Sequence, residues 1–268
     1  MTAKLELSDK VWSVQGRPIY DGALLAIRQW LGQDPHTDQQ IHKAADAGLK
    51  WLLDLQNRDR GWPTFCRGWG KLPFDRSGND ITAHVLRALI AWQPETRQPK
   101  IQHAMATGIA TGFEYLNRHQ QEEGSWLPLW FGNQDEPDEE NPIYGTTKVL
   151  LAYLEANRMH DAAARRGLEY LLKTQNSDRG WGGGASHERH PTTPERHALT
   201  SSIQETALVV DLLARVLLTP EFRSEKAMVQ ACLQGADWLI EAVESDKIFE
   251  KWSIGFYFAK LWYYERLY

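Results

Sequence analysis

Cysteine is scarce in this chain of 268 residues. Only Cys66 and Cys232 are present, and neither belongs to a CxxC pair. Two thiols cannot form a disulfide framework. The lack of such a framework is typical of proteins in a reducing compartment. No run of 18 apolar residues exists, so no transmembrane helix is expected. The first twelve residues, MTAKLELSDKVW, lack the apolar core of a signal peptide. Together these absences predict a cytoplasmic protein.

A strong charge of one sign is also missing. The formal net charge is -5, and most basic residues are interleaved with acidic ones. This pattern gives no field that would attract nucleic acid, so no nucleic-acid partner is expected. Three histidines lie in HERHPTTPERH, residues 187–197, but two prolines there prevent the helix that a His-x-x-His zinc site would use. We therefore expect no metal.

What the chain does contain is a repeated phrase and 12 tryptophans. It reads QNRDRGW at 56–62 and QNSDRGW at 175–181, and a looser copy runs from Gly112 to Trp126. The shared pattern is Gly-x-x-aromatic-Leu, three residues, Gln, a short polar stretch, Gly and Trp. Such internal repetition indicates a fold built from stacked units of one supersecondary type.

Each copy of the phrase follows an amphipathic helix. Apolar residues recur at helical spacing before the middle copy: Ile101, Met105, Gly108, Ile109, Gly112, Phe113 and Leu116. A second helix is predicted after each polar loop, and a last one is predicted to open at Ile254-Gly255-Phe256-Tyr257. The pattern predicts an all-α protein of about nine helices with almost no strand, arranged as helical hairpins that curl into an α/α toroid.

The Gln and Trp of the phrase are predicted to be structural. A Gln near the end of one helix can bond free backbone groups at a neighbouring helix terminus. A Trp can stack on that Gln or fill the gap between hairpins. This interpretation covers six residues: Gln56, Gln120, Gln175, Trp62, Trp126 and Trp181.

The repeated phrase resembles the QW motif of the squalene-hopene and oxidosqualene cyclases. Four further stretches resemble that family in the same order: RPIYDGALLAI, GSWLPLWFGNQ with NPIYGTTKVLLAYLEA, RGWGGGASHERHPTTPERHALTSSIQETALVV, and FEKWSIGFYFAKLWYYERLY. The resemblance runs from about residue 17 to 268 and covers the catalytic C-terminal half. It implies one toroid domain over residues 1–268. A closed ring of this kind takes six hairpins, and the sequence indicates four to five. The chain is then a fragment, or a second copy completes the ring as a homodimer, or a helix within residues 1–40 is missed.

The resemblance also indicates where a catalytic acid lies. The family has a DxDDTA motif whose middle Asp protonates an alkene or epoxide. Here the matching stretch is RSGNDITAHVLRAL, residues 76–89, which places Asp80 on the middle position. Gly78 and Ile81 replace the other two carboxylates. Asp75 is the candidate for a second carboxylate, and His84, one turn after Asp80, is a candidate support. The alternative is that Asp80 only caps a helix beginning at Ile81.

Aromatic side chains would stabilise the cation in such a pocket. The candidates are Phe65, Trp69, Phe74, Trp130, Phe131, Tyr144 and Tyr257. By resemblance, the function is an isomerase-type terpenoid cyclase that acts on a linear isoprenoid with no cofactor, with peripheral contact to the inner membrane face. Two alternatives stay open. One is a non-catalytic homologue that binds isoprenoids or other apolar molecules, and the other is a carbohydrate-active toroid enzyme. A protein prenyltransferase is excluded because the Asp-x-Cys of its zinc site is absent.

Overall fold

The structure, a computed structural model, describes residues 21–64, 66, 75–133, 140–183 and 201–246, together with the backbone of 253–256 and 262–264. Within these ranges there are eight α-helices: α1 (Asp21–Arg28), α2 (Pro35–Leu55), α3 (Asn79–Trp92), α4 (Pro99–Arg118), α5 (Pro142–Glu155), α6 (Ala162–Lys173), α7 (Ile203–Leu217) and α8 (Lys226–Glu244). Four short strands accompany them: β1 (Trp62–Pro63), β2 (Ser77–Gly78), β3 (Ser253–Phe256) and β4 (Trp262–Tyr264). The predicted helical fold class is confirmed.

The helices belong to two compact units, residues 1–118 and 119–268. In the first unit, α1 packs on α2 and α3 on α4, while α1 also contacts α3 and α2 contacts α4. The second unit repeats this arrangement with α5–α6 and α7–α8 as hairpins, α5 on α7 and α6 on α8. Within each unit the odd-numbered helices therefore form one layer and the even-numbered helices the other.

Local sequence explains where these helices begin and which face they bury. Asp34 caps α2 by accepting hydrogen bonds from the backbone N–H groups of His36 and Thr37, each at 3.0 Å, and Pro35 occupies the first helical position. Asn141 caps α5 in the same way, followed by Pro142. In α4 the predicted apolar stripe is buried, apart from the half-buried Ile109. The spacing of apolar residues thus sets the packing face.

The predicted last helix is wrong. The backbone of β3 pairs antiparallel with β4, Ser253 opposite Tyr264 and Phe256 opposite Trp262. Aromatic residues, which are frequent in this segment, fit a pleated surface better than a helix, and this preference prevails. Among the described residues, no helix is both long and apolar enough to cross a membrane.

The repeated Gly and Trp of the phrase meet in space. A Cβ added to Gly112 would lie 2.9 Å from Cζ3 of Trp62, and one on Gly167 would lie 2.8 Å from the same atom of Trp126. For Gly235 and Trp181 the distance is 2.5 Å. Each indole is fully buried, so the Trp of one repeat packs directly on the helix backbone of the next. This confirms that the three Trp residues fill the gap between hairpins.

The Gln of the phrase ties its own loop to the even-numbered helix that follows. Nε2 of Gln120 donates to the carbonyls of Gly124 and Ala163, both at 2.8 Å. Nε2 of Gln175 donates to Arg179 at 2.8 Å and to Ala231 at 3.0 Å. The neighbouring helix was predicted correctly, but Ala231 lies inside α8 rather than among the free groups of its terminus. Nε2 of Gln56 donates to the carbonyl of Arg60 at 2.8 Å. Its acceptor on the neighbouring helix is a side chain, the Thr111 hydroxyl at 3.1 Å.

A buried threonine in each following helix completes the repeat. The backbone N–H of Trp62 donates to Oγ1 of Thr82 at 3.0 Å. Trp126 donates to Thr146 and Trp181 to Thr206 in the same way, both at 2.9 Å. These threonines lie in the first turns of α3, α5 and α7. The repeat therefore sets the position at which α3, α5 and α7 begin.

Candidate active site

The start of α3 is held by a short ladder and a set of polar contacts. Trp62 pairs with Gly78 across β1 and β2. Nδ2 of Asn57 donates to the carbonyl of Asp75 and to Oγ of Ser77, both at 3.0 Å. Oγ of Ser77 donates to Oδ1 of Asp59 at 2.8 Å. The Asn and Asp of the repeated phrase thus anchor the segment that leads into α3.

Asp80 is the second residue of α3 and is 1% exposed. The helix begins at Asn79, and its N-cap is Gly78, which has no side chain for capping. The alternative that Asp80 caps a helix beginning at Ile81 is therefore wrong. Helix α3 begins directly after β2, at Asn79, which is two residues earlier than the sequence pattern indicates.

Two further predicted residues lie on the same segment. Asp75 lies two residues before β2 and is 2% exposed. His84 is half-buried, one turn after Asp80 on α3. The positions of the two missing carboxylates are occupied by Gly78, in β2, and by Ile81, which is half-buried. The segment thus carries two buried carboxyl groups and one imidazole.

Tyr115 of α4 is a neighbour of this site that sequence reasoning treated only as part of the repeat. Its hydroxyl donates to the carbonyl of Ser77 at 3.1 Å. Its pKa is raised well above the ordinary value, mainly by burial and then by the negative charges of Asp59 and Asp80. The ring also lies against Gly61, where an added Cβ would approach it to 2.8 Å. Tyr115 occupies the aromatic position of the Gly-x-x-aromatic-Leu pattern, and this is the sequence signal that could have identified it.

In the second unit the structure brings together two predicted pocket residues. The rings of Phe131 and Tyr144 lie 4.6 Å apart between centroids, and Nζ of Lys148 lies 5.1 Å from the Tyr144 centroid. The backbone N–H of Tyr144 donates to the Asn141 cap at 3.0 Å. Trp130 is buried in the same unit. Tyr144 stands two residues before Thr146, as Asp80 stands two residues before its own threonine in α3.

The other sequence predictions lie outside the described residues: Phe65, Trp69, Phe74, Tyr257 and the histidine-rich segment 187–197. Within the part of the chain that the structure does describe, no three His, Cys, Asp or Glu side chains come close enough together to hold a metal ion.

Comparison with known proteins now decides the family. The profile described as "Squalene-hopene cyclase C-terminal domain" matches residues 21–266, almost the whole chain. The chain belongs to this family. As a member of the squalene-hopene cyclase C-terminal domain family, it is a terpenoid cyclase-like domain with the α/α toroid fold class predicted for it.

Individual relatives agree with this assignment. A probable squalene–hopene cyclase of Sinorhizobium fredii is 32% identical over 207 residues, which covers 72% of this chain and 30% of that protein. Enfumafungin synthase of Hormonema carpetanum is 27% identical over 183 residues, 62% of this chain and 13% of that protein. The chain therefore spans less than a third of the length of either relative.

A solved structure shows the same fold. The ent-copalyl diphosphate synthase from Streptomyces platensis superposes with a TM-score of 0.54 at 23% identity, covering 77% of this chain and 32% of that one. This cyclase-family domain thus shares its fold with a known terpene cyclase. Likeness at this level of identity describes the fold and assigns no residue a role.

Proposed function

We propose that this domain carries out acid-initiated cyclisation of a linear isoprenoid, with Asp80 as the proton donor. The observation that carries the proposal is the burial of Asp80 in the first turn of α3, at a position where it does not cap the helix. The names of the relatives, squalene–hopene cyclase among them, support the substrate class.

The chemistry requires a carboxyl group that is protonated and shielded from water. Desolvation favours the neutral form of a carboxyl group in general, and only that form can give a proton to an alkene or epoxide. The Asp80 O–H bond breaks as the proton moves to the substrate. In an alkene the π electrons form the new C–H bond; in an epoxide an oxygen lone pair forms the new O–H bond, and the C–O bond opens with its electrons going to oxygen. A carbocation is left on the substrate and a carboxylate on Asp80. The positive end of the α3 dipole stabilises that carboxylate.

His84 and Asp75 are proposed as supports for this step. His84 lies at i+4 from Asp80, so both side chains share one side of α3. The imidazole would orient the carboxyl group and return a proton to it after turnover. Asp75 would supply the second carboxyl group in place of those lost at positions 78 and 81. The aromatic candidates Phe131, Tyr144 and Trp130 stay predictions for cation-stabilising residues, since aromatic rings attract positive charge.

The test is product analysis with the folded chain. Gas chromatography–mass spectrometry after incubation with squalene, squalene epoxide and shorter linear polyprenyl substrates should show a cyclic product. Asp80→Asn should abolish detectable product, because an amide does not donate the proton. General acids contribute about 10²–10⁴-fold to rate, so the loss should be at least of this size. Asp211→Asn is the matched control, since that side chain is 63% exposed on α7. A cyclic product that persists in Asp80→Asn would contradict the assignment of the acid.

A second candidate is a homologue that binds an isoprenoid without cyclising it. The observation in its favour is that Gly78 and Ile81 stand where the family motif has carboxylates. In that case the incubation yields no product, while substrate remains in the lipid fraction that purifies with the protein. An apolar substrate is also the reason to propose peripheral contact with the inner membrane face. Co-sedimentation with lipid vesicles would test that contact.

A further inference from the structure

A polar cavity lies in the unit of residues 119–268, between the end of α6 and the starts of α5 and α7. Its volume is about 320 Å³, at the lower end of the roughly 300–1,000 Å³ that is typical of small-molecule sites. We call it the Glu205 pocket, and its polar lining includes Asn141, Lys173, Gln175, Asn176 and Glu205. A lining of this polarity does not suit an isoprenoid chain, so another class of ligand is indicated.

The repeat does not account for the carboxylate in this pocket. Glu205 stands directly before the buried threonine of α7, where Ile81 and Gly145 stand in α3 and α5. Its side chain is 6% exposed, and its Oε2 accepts hydrogen bonds from the backbone N–H of Gly183 at 3.0 Å and from the Ser202 hydroxyl. Such charge-assisted bonds fix the position of the carboxylate.

The loop before α7 is shaped around that carboxylate. Gly182 and Gly183 have φ angles of 66° and 71°, which glycine adopts without strain. A Cβ on Gly182 would collide with the carboxylate of Glu205. Nδ2 of Asn176 donates to the carbonyl of Gly182 at 2.9 Å, and Nδ2 of Asn133 donates to that of Gly183 at 2.8 Å. Neither of the other two copies has glycines directly after its Trp, so these glycines serve the pocket and not the repeat.

The lining also offers hydrogen-bonding groups of both kinds. Nε2 of Gln175 and Nδ2 of Asn176 each make two bonds to the protein, while Oε1 and Oδ1 of these amides accept none from the described residues. Asn141 is the reverse, because its Oδ1 accepts from Tyr144 at 3.0 Å and its Nδ2 donates to none of the described residues. The exposed ammonium group of Lys173 is a further donor. Donors and acceptors are therefore both available to a ligand.

The charges of the lining select a neutral ligand. Glu205 would repel an anion, and Lys173 would repel a cation. An amino-acid zwitterion would match both charges but leave the amide groups without partners. Hydroxyl groups avoid these penalties, because each of them both donates and accepts.

We infer that the Glu205 pocket binds a neutral, polyhydroxylated molecule of the size of one hexose ring. Binding without hydrolysis is inferred, since glycoside hydrolysis uses a pair of carboxyl groups and Glu205 alone supplies one to the described lining. The inference does not depend on the cyclisation chemistry.

Isothermal titration calorimetry of the full chain with D-glucose and D-galactose tests the inference. We expect saturable binding of at least one sugar in the millimolar range, because a small neutral ligand held by a few hydrogen bonds binds weakly. No saturable heat with either sugar, from protein with a folded circular dichroism spectrum, would overturn the inference. Saturable binding of L-alanine or of calcium chloride in place of the sugars would also overturn it.

Charged derivatives of the sugar that binds test the roles of Glu205 and Lys173. The unaltered chain should bind the neutral sugar more tightly than its uronate or its amino derivative. Glu205→Gln should raise the affinity for the uronate relative to the neutral sugar by about tenfold, because Lys173 is then uncompensated. Lys173→Met should do the same for the amino sugar. The amide oxygen of Gln can still accept from the N–H of Gly183, which keeps the loop in place.

Lys100→Met is the matched control for the lysine change. Lys100 is exposed in the first turn of α4, in the other unit, so its loss should leave the order of affinities as it is. Unchanged preferences in both pocket variants would refute the assignment of the ligand to the Glu205 pocket.

Discussion

Replacing Gly235 by Ala tests the contact on which the repeat depends. An added Cβ would lie 2.5 Å from Cζ3 of Trp181 and 2.7 Å from Cγ2 of Val210. The indole cannot easily retreat, because it is fully buried and its Nε1 donates to the carbonyl of Leu171 at 2.8 Å. The substitution therefore forces a new atom into space that two fixed side chains already occupy.

The expected magnitude is the difference between two opposing effects. Overpacking of a buried site costs about 1–3 kcal/mol, and two contacts below 3 Å place this site at the upper end. Ala in a helix interior is favoured over Gly by about 1 kcal/mol. We therefore expect Gly235→Ala to lower the free energy of unfolding by about 1–2 kcal/mol. For a chain of this size that lowers Tm by about 2–6 °C.

The assay is thermal and urea unfolding followed by circular dichroism. Gly22→Ala is the control, since Gly22 is also helical but has no atom within 4 Å of an added Cβ; it should leave Tm unchanged or raise it. In a Trp181→Phe background the smaller ring removes the nearest contact, so the cost of Gly235→Ala should shrink by about 1 kcal/mol or more. A more stable Gly235→Ala variant in the unaltered background would refute the interlock of Gly and Trp.

Three further changes probe the loops around the candidate site and the cap of α2. Tyr115→Phe removes the hydrogen bond to the carbonyl of Ser77 and should lower the free energy of unfolding by about 1 kcal/mol; an unchanged urea midpoint would contradict that role. Arg60→Gly should raise the free energy of unfolding by about 0.5 kcal/mol, because Arg60 has a φ of 80° that Gly adopts without strain; Arg60→Ala is the control that should show no gain. Asp34 has a lowered pKa, chiefly through the hydrogen bond from the Thr37 hydroxyl, so its stabilisation is present above the ordinary value of 3.8 and is lost as pH falls through the lower folded pKa. Asp34→Asn should therefore make the acid limb of a Tm–pH profile shallower, and an identical limb would show that this cap does not titrate with folding.

Sequence reasoning went furthest where one residue type serves one repeated purpose. The copies of the phrase predicted helical hairpins and a structural Trp. Each copy makes the same packing contact, so the same residue types recur at the same spacing. The family followed from the order of those letters. The same reasoning did not identify the partner of each Gln, because Thr111, Ala163 and Ala231 share no side-chain chemistry that could mark them in advance.

The candidate site shows where sequence reasoning stops. Asp80 was predicted as the candidate acid because its place before Thr82 and Ala83 resembles the family motif. The sequence could not decide whether Asp80 only caps a helix. The start of α3 follows the pairing of β1 with β2, and local spacing does not show that Trp62 pairs with Gly78. Tyr115 was not identified for a related reason. Its closeness to Ser77 and Asp80 arises from the packing of α4 against α3 and its loop.

The sequence by itself determined the helical class, the hairpin repeat and the stripe of each helix, because these depend on residue spacing within a few turns. Tertiary structure alone decided that Asp80 is buried inside the first turn of α3 and that Gly112, Gly167 and Gly235 lie under indole rings. It also decided that Leu233, Ile240 and Val243 of α8 are exposed. Residues 253–256 and 262–264 paired as antiparallel strands, although their sequence was compatible with a helix. The physical reason is the same in each case: burial and close approach depend on which surfaces meet, and local spacing does not specify that.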